Sequence, residues 1–155
     1  MPGKIITGAF AVTVGLTLTA CSHGAQQPKT AAGARAAART FFKLYATSQW
    51  AATYQLLSPA AQHAVSEGTW EKAQQGCPNQ GARLAGTIKS VSLARNTAVV
   101  RAYPSPGTAG WVYTEQVFTY SEGRWGYSPY DLDVYHGRTI GQIVTALKVK
   151  GYCGI

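Results

Sequence analysis

The apolar residues of this chain change period along its length, and that switch limits the folds open to it. Ala38, Phe41, Phe42 and Tyr45 recur at helical spacing, which predicts an amphipathic helix over 34–48. Arg35, Arg39 and Lys43 fall on another face and read as its solvated side. Trp50, Tyr54 and Leu57 continue the helical spacing after a break near Ser48. Ser58-Pro59 has the form of an N-cap followed by proline at the first helical position. Thr69 is expected to cap a further short helix carrying Trp70, ending near Gly76-Cys77-Pro78. Beyond Leu84 the pattern alternates. Strands are expected over 84–93, 97–103, 111–120 and 124–130, with turns at Arg95-Asn96 and Ser121-Glu122-Gly123 and a longer loop over 104–110. Thr139-Ile140-Gly141-Gln142 is a capping box. It opens a last helix with Ile140, Ile143, Val144 and Leu147 on one stripe and a stop at Gly151. Helices, then about four antiparallel strands, then a helix make an α+β fold.

The first residues do not belong to that fold. Lys4 is followed by an uncharged apolar run over 5–18, too short for a membrane span and of the length of a signal-peptide core. Leu18-Thr19-Ala20-Cys21 resembles the lipobox of bacterial lipoproteins. The resemblance implies that Cys21 receives diacylglycerol on its thiol and becomes the first residue after cleavage. An ordinary cleaved signal with an incidental cysteine and a retained membrane anchor are the alternatives. The division that follows is a signal over 1–20, lipidated Cys21 with a flexible tether over 21–33, and one domain over 34–155. With 46% hydrophobic and 13% charged residues in a chain of 155, the domain has the composition of a packed globule.

Three cysteines are an odd count for an exported chain. With Cys21 assigned to lipid, Cys77 and Cys153 remain as a pair. Outside the reducing cytosol they can bridge; two free thiols are the alternative. A bridge would contribute about 4 kcal/mol by closing so long a loop. No CxxC occurs and the histidines lack ligand spacing, so no metal site or other cofactor is expected.

The helix-rich stretch 34–59, the short helix with Trp70 and the curved meander together resemble the nuclear transport factor 2-like superfamily, as carried by small actinobacterial lipoproteins. That implies a cone-like α+β domain. The C-terminal helix departs from the common plan and is placed either over the mouth of the cone or on the outer face of the sheet. The superfamily includes isomerases, hydrolases and members without chemistry, so the fold does not choose among them.

The chain has 6 Asp and Glu residues, which narrows any acid–base site. Glu115 shares a strand face with Trp111, Tyr113 and Val117, and is a candidate if that face points inward. Asp131, Asp133 and His136 form a second polar cluster, equally readable as a loop whose side chains satisfy backbone. Neither amounts to a catalytic motif, and no phosphate loop, GxSxG or HExxH is present. Trp50, Tyr54 and Tyr113, with Glu115, are the residues expected to line a cone holding an apolar ligand. The formal charge of +8 drops to +7 when Lys4 leaves with the signal. At an extracytoplasmic membrane face that charge suits anionic headgroups or cell-wall polymer rather than nucleic acid. The expectation is a lipid-anchored protein whose domain binds a protein, a wall polymer or a small apolar ligand, with a small cone-fold enzyme as the alternative.

Overall fold

The structure, a computed structural model, describes residues 26–77, 87–103 and 114–153. Helix α1 spans Ala31–Ala46, and the Thr30 hydroxyl accepts a hydrogen bond from Gly33 N at 3.1 Å. The cap lies ahead of the expected start at 34 because Thr30 offers the first free side-chain oxygen that reaches the helix N-terminus. Ala34, Ala38, Phe41, Phe42 and Tyr45 are its buried side. Each fully buried large side chain there contributes about 1.5–3 kcal/mol. Ser48, with φ +56°, breaks the helix. Short helices α2 (Trp50–Gln55), α3 (Pro59–Ala64) and α4 (Glu67–Gln75) follow. Ser58 caps α3 as its sequence predicts. Ser66, not Thr69, caps α4: its hydroxyl accepts from Thr69 N, and Glu67 adds a favourable charge in the first turn.

Strands β1 (Ile88–Ala94), β2 (Thr97–Ala102), β3 (Thr114–Ser121) and β4 (Arg124–Ser128) form an antiparallel sheet in that order. The turns fall at Arg95-Asn96 and Glu122-Gly123, as expected. In the second turn both central residues adopt positive φ, +52° and +77°, the geometry that follows strand twist in a tight hairpin. Residues 84–86, 104–110 and 111–113, parts of the expected strands and loop, lie outside the described residues. Ala98, Val100, Phe118 and Trp125 on the inner face pack under α1. Phe41 stacks 4.3 Å, centroid to centroid, from Tyr127.

Chain 56–58 lies against β4: Tyr127 N donates to Leu56 O and Ser58 N to Tyr127 O, both at 2.8 Å. Gly126 makes that approach possible, since a Cβ there would sit 2.6 Å from Ser58 Cα.

A 3-10 turn over Leu132–Tyr135 leads to α5, Ile140–Val149, whose Thr139/Gln142 capping box is formed. Helix α5 packs on α4 and on the 3-10 turn rather than on the outer face of the sheet. A Cys77–Cys153 disulfide fastens the end of α4 to the chain just after α5. The expected tether is shorter than 21–33. Residues 31–33 are the first turn of α1, and Gln27 and Pro28 are hydrogen-bonded to the β3–β4 hairpin. Among the described residues, no helix is long and apolar enough to cross a membrane.

Candidate functional site

Antiparallel pairing puts the start of β3 and the end of β4 at one end of the sheet, opposite the Glu122-Gly123 turn. Alternation along β3 places Thr114 and Gln116 on the same inner face as Phe118. Here the sheet extends past the apolar core, and α1, α4, the 3-10 turn and α5 converge on it. A cavity of about 370 Å³ remains between them. Tyr45 ends the buried stripe of α1 and faces it. Helix α4 contributes Trp70 and Gln74, β4 contributes Tyr127, the 3-10 turn Tyr135 and α5 Leu147.

The polar groups in this wall pair with one another. The Tyr45 hydroxyl donates a hydrogen bond to Gln74 Oε1, and Gln74 Nε2 donates to the Tyr135 hydroxyl at 3.1 Å. On the sheet side the Tyr127 hydroxyl donates to Gln116 Oε1 at 2.6 Å. Burial of these phenols, reinforced by the repulsion that neighbouring tyrosines would exert on one another once ionised, drives Tyr45 and Tyr127 well above the ordinary tyrosine range. Burial raises Tyr135 too, against the opposing Gln74 hydrogen bond. All three are therefore neutral hydrogen-bonding groups at any physiological pH. Thr114 Oγ1 is buried and has no hydrogen-bond partner among the described residues, and an unsatisfied hydroxyl costs about 1–3 kcal/mol. Together with the remaining amide N–H groups of Gln74 and Gln116, it gives the wall hydrogen-bonding capacity that a ligand can use.

The mouth carries charge that is already paired. Lys150 Nζ lies 2.6 Å from Asp131 Oδ1. Burial pushes the Asp131 carboxyl up, but hydrogen bonds from Lys150 and Tyr152 outweigh it, and Asp131 titrates below its usual range. The bond to Asp131, with burial, pushes the Tyr152 phenol up to about 12. Tyr130, 57% exposed, stands at the edge.

Of the described residues expected to line a pocket, only Glu115 reaches the cavity, and it does so at the rim. Its carboxylate lies on the face opposite Gln116 and pairs with Arg101, its cross-strand partner, at 2.6 Å. Trp50 packs behind the wall, edge-on to Tyr45 at 4.9 Å. Tyr54 is turned to the α2–α3 junction, where its hydroxyl donates to Gln62 O at 3.2 Å. Neither lines the cavity. The short α2 directs both toward neighbouring helices rather than toward the sheet. Tyr113 lies outside the described residues, as does Cys21. Within the polar cluster, Asp131 lines the cavity while Asp133 and His136 are exposed, so the three do not form one site. Among the described residues, no three His, Cys, Asp or Glu side chains group to hold a metal.

Tyr45, Gln74, Gln116, Tyr127 and Tyr135 were not singled out by sequence reasoning. One signal was present: Thr114 and Gln116 alternate onto the face of Phe118, two polar residues on a face that is apolar further along the strand. No family model, curated protein or solved structure matches the chain.

Proposed function

We propose that this chain is a bacterial lipoprotein, anchored through Cys21 at the extracytoplasmic face of the membrane. Its cone-like, nuclear transport factor 2-like domain binds a small, largely apolar, uncharged ligand without chemical turnover. The observation that carries the ligand reading is the cavity walled by Tyr45, Trp70, Tyr127 and Tyr135. Its inner polar groups are neutral, with the charged Glu115, Asp131 and Lys150 ion-paired at the mouth, and a Thr114 hydroxyl without a partner among the described residues is buried in it. A charged ligand would lose its hydration among those inner groups with no unpaired charge to replace it. Both carboxylates near the cavity are engaged in ion pairs, Glu115 with Arg101 and Asp131 with Lys150. This favours binding over the general-base chemistry of the isomerase-like alternative. The anchoring reading rests on the charge, apolar run and lipobox-like order of residues 4–21.

Two measurements test it. In detergent phase partitioning, wild type is expected in the detergent phase and Cys21→Ala in the aqueous phase; an aqueous wild type overturns the anchor. A neutral naphthalene-type fluorophore is expected to bind saturably, and to lose that binding in Leu147→Trp, which fills the cavity. Non-saturable binding, or binding unaltered by Leu147→Trp, overturns the ligand site.

A further inference from the structure

The chain just after the proposed lipid site is fastened to one end of the sheet. Gln27 N donates to Gly123 O, and the Tyr120 hydroxyl donates to Gln27 O, both at 2.8 Å. Trp125 adds two bonds, its backbone N to Gln27 Oε1 at 2.8 Å and its indole N–H to Pro28 O at 3.0 Å. Gly33 has no side chain to displace the Pro28 carbonyl, and the Gln26 side chain packs over Gly123. The leash between Cys21 and the domain therefore ends at Gln26, and its greatest reach is about 17 Å.

We infer that the turn end of the sheet lies against the bilayer surface and that the cavity opens away from it, toward the aqueous space. The inference rests on the lipid-anchor reading above. Turns Arg95-Asn96 and Glu122-Gly123 sit at the same end of the sheet, and Tyr120 N donates to Asn96 O at 2.7 Å between them. Residues 27–30 dock at that end. The cavity begins at Thr114 and Glu115, the far end of β3, about 23 Å away at the rise of an extended strand. With the leash shorter than that span, a lipidated Cys21 keeps the turn end nearest the membrane.

The same end suits an anionic lipid surface. Lys29, whose ammonium lies 5.9 Å from the Tyr120 ring centroid, and Arg95 are exposed there and have no ion-pair partner among the described residues; Glu122, in the neighbouring turn, is exposed as well. Leu93, at the end of the edge strand, is 45% exposed. Basic residues and an exposed aliphatic side chain next to an acyl anchor add to its membrane affinity. The cavity then exchanges its ligand with the aqueous compartment and does not extract it from the bilayer.

Lipidated full-length chain on vesicles containing phosphatidylglycerol tests this. With Cys21 in thioether linkage and Cys77 bridged to Cys153, a single introduced cysteine is the one free thiol available to a fluorophore. Asn96→Cys marks the turn end and Val149→Cys the cavity end. Headgroup-nitroxide lipids are expected to quench the label at 96 several-fold more than the label at 149. Gln27→Ala, which loosens the docked segment, is expected to narrow that difference. Equal quenching, stronger quenching at 149, or no effect of Gln27→Ala overturns the orientation while leaving the anchor intact. Intact mass reports the anchor separately: a chain without added lipid overturns the anchor and, with it, the orientation.

Discussion

Lys150 Nζ lies 2.6 Å from Asp131 Oδ1, joining the end of α5 to the segment after β4 at the mouth of the cavity. Tyr152 bonds the same carboxylate, so the chain after α5 is held at the mouth by the two side chains as well as by the disulfide. Because the folded carboxyl titrates below its unfolded value, this contribution is complete above the ordinary carboxylate range. It is lost as pH falls through the folded value, below about 4. Wild type is expected to lose more of its urea midpoint between pH 6 and pH 3 than Asp131→Asn; equal losses would count against the bridge.

The buried phenols give the opposite sign. Tyr45, Tyr127 and Tyr135 have folded pKa values raised above the unfolded value. Their contribution is therefore present below about pH 10 and lost as pH rises. In a spectrophotometric titration at 295 nm, part of the tyrosinate signal is expected to appear only with alkaline unfolding, in step with loss of near-ultraviolet dichroism. Full ionisation of a still-folded protein would contradict the buried network.

Gly126 should tolerate no side chain. A Cβ would meet backbone atoms of Leu57 and Ser58 at 2.6–2.9 Å, and backbone cannot swing aside as a flexible side chain does. Gly126→Ala is expected to lose about 2–4 kcal/mol in a denaturant titration. Gly141→Ala, with open space around it, serves as the control and should be neutral or mildly stabilising.

The Cys77–Cys153 bridge spans 76 residues of sequence. Replacing both cysteines by alanine is expected to lower stability by about 2–4 kcal/mol and to raise proteolysis of α5. Unreduced mass spectrometry should find the two joined in one cross-linked peptide; two alkylatable thiols would remove the explanation.

Thr114→Val exchanges an unpartnered buried hydroxyl for a methyl group of nearly the same size. The empty protein is expected to be unchanged or more stable by up to about 1 kcal/mol. A clear loss of stability in the ligand-free protein would show that the hydroxyl has a structural partner instead.

The features legible in the sequence are those made by near neighbours. Ser58 and Thr139 cap their helices because a side-chain oxygen reaches an N–H three residues on. Glu122-Gly123 turns tightly because glycine takes a positive φ freely. Trp125 and Tyr127 share a face because strands alternate. Ser66 displaced Thr69 as a cap because both have the right oxygen and local pattern does not rank them.

The cavity needed the fold. Tyr45 and Gln74 meet across 29 residues of sequence, and Gln74 and Tyr135 across 61. Trp50 and Tyr54 suited a pocket equally well on composition, but the angle of a short helix turned them elsewhere. Gln27 and Trp125 are 98 residues apart, so the polar composition of 22–33 resembled a free tether until the hairpin supplied its partners. Helix stripes, strand alternation, tight turns and the Ser58 and Thr139 caps follow from residue chemistry at short range, and the sequence by itself determined them. Which polar side chains become enclosed, and where Gln27 and Pro28 dock, was decided only by tertiary structure, because burial and hydrogen-bond partnership belong to surfaces that exist only after the elements pack.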